Sequence, residues 1–250
     1  MEAKKSLGQH FLVDDGVLNR IKKELEGSEF IVEIGGGKGA LTRKILELNV
    51  PLLVVELDSK LCMFLEDTFG GRDNFSIVNQ DASFFKLERR STIVGNLPYN
   101  VSKKIIKNMA FQKDKIEKMV FMVQKEVANS IIADVNTKEY SKFSVLVQLF
   151  FKVRKLFNVG KGAFSPPPKV ESSVVEFVPY EKNILNIDKI DKTFFSFLNE
   201  LFQFPRKTVK NNIKHLIKNN LNRTEHFFSR RPRELSIEEM YQLYREVYHE

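Results

Sequence analysis

The chain has 250 residues, 42% of them hydrophobic, and a formal net charge of +8, enough apolar content for one large domain with a smaller appendage. Its single cysteine, Cys62, has no partner within the chain, no Cys/His spacing matches a zinc site, and no apolar run approaches the ~20 residues of a membrane helix. A disulfide scaffold, a structural metal and a membrane span are excluded on these grounds; a soluble, cytoplasmic protein is expected, with a polyanion, most simply nucleic acid, as partner.

Met1 to Gln9 are polar and basic, with Lys4 and Lys5 leading into Ser6-Leu7-Gly8-Gln9-His10-Phe11-Leu12. Asp14 or Asp15 then caps a helix that carries Val17, Leu18, Ile21 and Leu25 on one face. His10 reads either as a buried histidine or as part of a cofactor wall. Phe30–Ile34 is an apolar strand that runs into Gly35-Gly36-Gly37-Lys38-Gly39 and a helix patterned by Leu41, Ile45 and Leu48. Strand, glycine turn, helix is the opening unit of a Rossmann-type domain, where the glycines let backbone approach a ligand and Gly39 lets the helix pack on the strand. The turn lacks a Gly-Lys-Ser/Thr ending, and Glu33 stands where a negative charge would meet incoming phosphates. Both features argue against a phosphate nucleotide.

Leu52 to Asp58 supplies the second strand, and Glu56 at its tip, rather than Asp58, is the acid suited to the two hydroxyls of a ribose. Phe75–Asn79 is the third strand, and Asp81 just beyond it is placed to accept from an adenine amino group. Thr92-Ile93-Val94 ends a fourth strand in Gly95-Asn96-Leu97-Pro98-Tyr99. The Asn96 amide oxygen, the Leu97 carbonyl before Pro98 and the flat face of Tyr99 together suit a planar, amine-bearing ring held by edge and by face. Taken singly, each of these residues is an ordinary turn or cap. The ordered series of glycine loop, Glu56, Asp81 and Asn-Leu-Pro-Tyr, each after a strand, is far harder to assemble by accident.

Ser102 begins a helix with Lys103, Lys104 and Lys107 outward, Lys118–Val123 is a fifth strand, and Gln124–Ala133 is helical. Ser144–Phe151 reads as a buried helix passing into a strand over Val153–Val159, and Ser172–Val178 as the last strand, closing the sheet. Between them, Gly162 to Val170 is a stiff loop around Pro166, Pro167 and Pro168. Phe164 in that loop is a hydrophobic plug or a stacking platform; beside Tyr99 the platform is favoured. Phe84 and Phe85 are assigned to the core or its margin. From Tyr180 onward the pattern is helical. Between Phe202 and Arg233 the cations Arg206, Lys207, Lys210, Lys214, Lys218, Arg223, Arg230, Arg231 and Arg233 face one acid, Glu225, a bias that favours a phosphate-gripping surface.

As a set, these motifs resemble the ribosomal RNA adenine dimethyltransferase family, most closely its small-subunit branch. The resemblance is carried by Ser6 to Leu12, Glu33 to Thr42, Val55-Glu56-Leu57-Asp58, Asn96 to Asn100 and Phe164 to Val170, and continues through Phe202 to Thr208 and Arg231 to Ser236. It implies a Rossmann-like class I methyltransferase domain over 1–180, with a mostly parallel seven-stranded sheet, and a small helical RNA-binding domain over 181–250. It implies S-adenosylmethionine as cofactor, with His10, Leu12 and Gly35 lining its site, Glu56 on the ribose, Asp81 on the adenine amine and Asn96 near the methionine end. Asn96, Leu97, Pro98, Tyr99 and Phe164 would form the catalytic pocket. Lys103, Lys104, Arg206, Lys207, Lys210 and Lys214 would meet RNA across a basic cleft between the domains.

The implied substrate is a pair of adjacent adenosines in the 3′-terminal hairpin loop of 16S rRNA, dimethylated at N6 by a monomer. Two positions depart from the family: Pro205 stands where the first of two arginines is usual, and Gly36, expected to be harmless, where proline is common. The rival readings are a 23S rRNA methyltransferase of the macrolide-resistance type, a noncatalytic assembly factor that retains a cofactor pocket, and, more distantly, a small-molecule or DNA amine methyltransferase.

Overall fold

The computed structural model describes residues 10–187, 190–217 and 224–249; Lys4, Lys5, the motif start Ser6 to Gln9, and Lys218 and Arg223 of the basic stretch lie outside them. Strand β1 (Phe11–Leu12) leads to α1 (Asp15–Lys23), whose start is set by the Asp14 carboxylate accepting the Val17 N–H at 2.9 Å. Then follow β2 (Ile31–Ile34), α2 (Ala40–Leu46), β3 (Leu52–Glu56), α3 (Ser59–Phe69), β4 (Phe75–Asn79), β5 (Ser91–Asn96), α4 (Ser102–Ala110), β6 (Ile116–Gln124) and α5 (Lys125–Ile131). The chain continues through α6 (Lys142–Phe150), β7 (Phe151–Val159), β8 (Phe164–Ser165), β9 (Ser172–Pro179), α7 (Lys192–Leu201), α8 (Val209–Ile213) and α9 (Ile237–His249). Among the described residues no helix is long and apolar enough to cross a membrane.

Seven strands form one sheet in the order β4-β3-β2-β5-β6-β9-β7. β2 to β6 run parallel, and β9 is antiparallel to both of its neighbours. β2 and β5 are nearly continuous buried runs, as strands covered on both faces must be. The strand order reverses between β2 and β5, so the loops after these neighbours diverge and leave a crevice at their carboxyl ends. The glycine turn follows one of them and Asn96 ends the other. That topology assembles the site.

β9 does not close the sheet as its place in sequence suggests; it is inserted between β6 and β7. The burial pattern gives the reason. Ser172 to Val175 of β9 are all buried and suit an interior strand, whereas β7 exposes Lys152, Arg154 and Lys155, charges that belong on an edge. Gly36 and Gly39 make room for neighbours: a Cβ at Gly36 would stand 2.7 Å from Val54 Cγ1, and one at Gly39 would stand 2.7 Å from the Phe69 ring. Gly39 therefore admits helix α3 rather than the strand beneath it, and a side chain at Gly36 would have to displace the terminal methyls of Val54 and Leu65.

The chain divides into two compact units, Met1–Ala128 with Phe151–Pro179, and Asn129–Phe150 with Tyr180–Glu250. A single boundary at 180 is thus too simple, because α6 and the segment before it belong with the carboxyl-terminal helices. Their hydrogen bonds agree: the Ile184 N–H donates to the Leu149 carbonyl at 3.0 Å, and the Asn136 N–H to the Arg233 carbonyl at 2.7 Å. The first unit's core gathers Leu18, Ile21, Leu41, Ile45, Val54, Leu65, Val94 and Met122 on one face of the sheet. In the second, Phe194 and Phe197 of α7 pack on Tyr244 of α9, with ring centres 5.2 and 5.8 Å apart.

Candidate active site

Glu56 ends β3 with its carboxylate turned into the crevice and only 7% exposed. One oxygen accepts the Gly37 N–H at 3.0 Å and the other the Asp58 N–H at 2.9 Å. These two bonds tie the strand tip to the glycine turn and use one lone pair on each oxygen, leaving the others for two hydroxyl donors. Asp58 serves elsewhere, its side chain capping α3 by accepting the Lys60 N–H at 3.0 Å. Gly37 has φ 56, and a Cβ there would meet the Phe11 ring at 3.2 Å, so the turn is closed by an aromatic side chain that only glycine admits.

Glu33 does not present a charge to the crevice. It is 1% exposed beneath the turn and accepts the Thr42 hydroxyl at 2.7 Å. Burial, reinforced by the nearby Glu56, pushes its pKa up to about 8 against the lowering effect of that hydrogen bond. Near neutral pH it is largely the neutral acid. Its weight against phosphate binding, inferred from the sequence, is correspondingly withdrawn.

At the end of β5, Asn96 Nδ2 donates to the His10 carbonyl at 2.9 Å, which leaves Oδ1 as the accepting end of the amide. The His10 ring donates to the Pro166 carbonyl at 3.0 Å and lies 5.5 Å from the Tyr99 ring. Tyr99 is half-buried and shares a 2.9 Å hydrogen bond with the Ser172 hydroxyl; burial raises its pKa. His10, Gly35, Glu56, Asn96, Leu97, Pro98 and Tyr99 line one cleft. Leu12 is buried and lines a smaller hollow beneath the turn with Glu33, Gly35 and Asn96.

Two site residues stand apart. Asp81 is not among the residues lining the cleft; its Oδ1 accepts the Ser83 N–H at 2.8 Å, in a turn tied to the β3 tip by the Gln80 N–H donating to the Glu56 carbonyl. Phe164 is 4% exposed, paired in β8 against Leu12 of β1 and packed in the core. Of its two sequence readings the structure favours the plug, because the ring is packed among the core side chains. Phe84, assigned with Phe85 to the core or its margin, is instead 64% exposed, while Phe85 is buried. Phe11, Leu57, Leu61 and Val101 also line the cleft and were not singled out from sequence. Phe11 had a signal in its place beside His10, and Leu57 in following the strand-tip acid.

In the helical unit Arg206, Lys207, Lys210 and Lys214 are all exposed. The turn before α8 is locked by the buried Asn212, whose Oδ1 accepts the Phe204 N–H at 2.9 Å and whose Nδ2 donates to the Phe204 and Thr208 carbonyls. Arg230 leaves the basic set, since its guanidinium holds both carboxylate oxygens of Glu239, at 2.7 and 3.1 Å.

A mostly parallel sheet in this order, with the antiparallel β9 inserted between β6 and β7, a glycine turn after one central strand and an acid at the tip of the next, is that of a class I S-adenosylmethionine-dependent methyltransferase. The fold is matched by a dimethyladenosine transferase from Plasmodium falciparum, with TM-score 0.79 and 25% identity over 94% of this chain and 96% of that one. The 23S rRNA methyltransferase ErmE shares the fold at TM-score 0.72 and 20% identity, over 95% and 99%. The family model for ribosomal RNA adenine dimethylase matches residues 1–247, and the chain belongs to that family. It is 38% identical to the ribosomal RNA small subunit methyltransferase A of Sulfurihydrogenibium sp. (strain YO3AOP1), over 98% of this chain and 96% of that protein. It is 35% identical to the protein of the same name from Borreliella burgdorferi (strain ZS7), over 96% and 87%. The chain is a methyltransferase acting on ribosomal RNA.

The cleft fits the class's cofactor on two structural grounds. Gly35 and Gly37 line the cleft in left-handed conformation, presenting backbone with no side chain to a ligand, and the Glu56 carboxylate keeps acceptor capacity for a ribose.

Proposed function

We propose that this chain dimethylates N6 of two adjacent adenosines in the 3′-terminal hairpin loop of 16S rRNA during small-subunit biogenesis, as a cytoplasmic monomer. The observation that carries the reading is the acceptor edge at Asn96 and Leu97, in one cleft with Glu56 and the glycine turn. Relatives named small subunit methyltransferase A, matched over nearly the whole chain, favour the small subunit over the large.

Glu56 would hold the ribose of S-adenosylmethionine, His10, Leu12 and Gly35 would line its site, Asp81 would take its adenine amine, and Asn96 would lie at its methionine end. When bound, that cofactor supplies an electrophilic methyl group on a good leaving group. The protein's part is to present the nucleophile. An adenine N6 lone pair is delocalised into the ring, so Asn96 Oδ1 and the Leu97 carbonyl accept from the amine and favour the pyramidal nitrogen that attacks. Tyr99 holds the ring by its face while Pro98 shapes the turn, and the cleft excludes water around the aligned partners. The N6 proton becomes acidic only after methylation and passes to solvent, so no strong base is required. Phe164, buried as it is, takes no part in base stacking.

A hairpin loop lowers the cost of unstacking the target base. Lys103 and Lys104 on the catalytic unit and Arg206, Lys207, Lys210 and Lys214 on the helical unit would neutralise the phosphates. The test is transfer of labelled methyl to undermethylated small subunits, with large subunits in parallel, followed by identification of the product nucleoside. N6,N6-dimethyladenosine from small subunits alone is the expected result. Label in the large subunit would move the assignment to the 23S reading, and cofactor binding without transfer would move it to a noncatalytic role.

A further inference from the structure

Phe84 is 64% exposed, and the Lys104 ammonium lies 4.2 Å from its ring centre. A single exposed apolar side chain is ordinarily unremarked, but this one is held out on a fixed loop. On its amino-terminal side Asp81 Oδ1 accepts the Ser83 N–H at 2.8 Å. On the other, Asn108 and Gln112 of α4 and the turn after it both donate to the Phe85 carbonyl, at 2.8 and 3.0 Å, and Gln112 Oε1 accepts the Leu87 N–H at 2.8 Å. Phe85 is thereby fixed inward and Phe84 outward.

The surroundings are cationic. Lys86 of the loop and Lys103, Lys104 and Lys107 of α4 are exposed. The patch also adjoins the cleft: α4 begins shortly after Tyr99, and the Lys104 N–H donates at 2.9 Å to the carbonyl of Val101, a cleft-lining residue.

We propose that Phe84 is a stacking platform for an unpaired nucleobase that flanks the target adenosine, with Lys104, Lys103 and Lys107 taking the adjoining phosphates. An aromatic face receives any base, and a lysine at its edge matches the phosphate that accompanies every base in a strand. The cofactor does not account for this arrangement, because S-adenosylmethionine has no phosphate to offer the lysines. An acidic peptide would engage the lysines but leave the ring without a matching face. The inference rests on the reading of the chain as an RNA methyltransferase and adds a second contact point beside the cleft.

The chain contains no tryptophan, so F84W makes a single-site fluorescent reporter. Single-stranded hexa-adenylate should quench it, and an abasic strand with the same phosphates should not. F84A and F84L should each weaken binding to undermethylated small subunits about tenfold, the scale of removing one base–aromatic stack. Their melting temperature and their Kd for S-adenosylmethionine should match the wild type. Weakening in the leucine variant as well separates stacking from mere apolar bulk. Unchanged affinity in both variants, equal quenching by the abasic strand, or a fall in cofactor affinity would each overturn the platform. Methyl transfer by the wild-type protein, run alongside, reports on the underlying reading, while the tryptophan arm does not depend on it.

Discussion

The tips of β2 and β3 and the tip of β5 lie along the same edge of one sheet, yet the chain finishes them in opposite ways. At β2 and β3 the polar groups turn inward: Glu33 is sealed beneath the glycine turn, Glu56 is bound by two backbone N–H groups, and Phe11 closes over Gly37. Beyond β5 the chain turns outward, through the half-buried Tyr99 to the exposed lysines of α4, where Lys104 meets the exposed ring of Phe84 from the loop between β4 and β5. On the proposed function the difference matches what each side would hold. A small cofactor can be enclosed, so buried carboxyl groups and backbone donors suffice. A polymer cannot be enclosed, and it brings a charge with every base, so its side of the edge needs open aromatic and cationic surface.

The widest separation should come at the seam. Asn96→Ala removes the acceptor proposed to face the amine, and methyl transfer should fall by about 10²–10³-fold, the scale of removing one preorganised polar group from a reacting centre, with RNA affinity retained. Turnover at the wild-type level would remove Asn96 from the reaction. The two phenylalanines sharpen the contrast through stability. Phe164→Ala empties a buried site and should cost about 3–5 kcal/mol, whereas Phe84→Ala should stay within about 0.5 kcal/mol, both read from denaturant unfolding.

Glu33 tests the inward side by pH. Between the ordinary value of 4.5 and about 8 the folded protein keeps a proton on Glu33 that the unfolded chain gives up. Stability therefore falls as pH rises through that window and levels off above it. Glu33→Gln should abolish that fall, with a gain on the order of a few kcal/mol over wild type near pH 8; parallel stability profiles for the two proteins would place an ionised carboxylate at this site. The smallest effect is expected on the helical unit. Replacing Lys207 and Lys210 by alanine should reduce the slope of log affinity against log salt by about 0.9 for each phosphate left without its cation, and an unaltered slope would turn that helix away from RNA.

Much of the cleft was legible in the order of the amino acids. The glycine turn, Glu56 and the Asn-Leu-Pro-Tyr turn each announce themselves within a few residues, through strand periodicity and the chemistry of the turn that follows. Asp58 and Glu56 were separable for the same reason: one stands at a strand tip and the other just before a helix, where carboxylates cap.

What the chain determined alone was thus local: where strands and helices start, which residues end them, and the order in which those ends occur. Tertiary structure decided whatever depends on a partner distant in sequence. Phe164 is buried because it joins a core cluster drawn from distant parts of the chain, and Phe84 is exposed because Asn108 and Gln112 hold its neighbour inward. Glu33 retains its proton because residues around it exclude water, and Arg230 is engaged by Glu239. β9 entered the sheet rather than closing it, and α6 joined the helical unit. Burial and pairing are properties of the space around a side chain, and that space is filled from elsewhere in the chain.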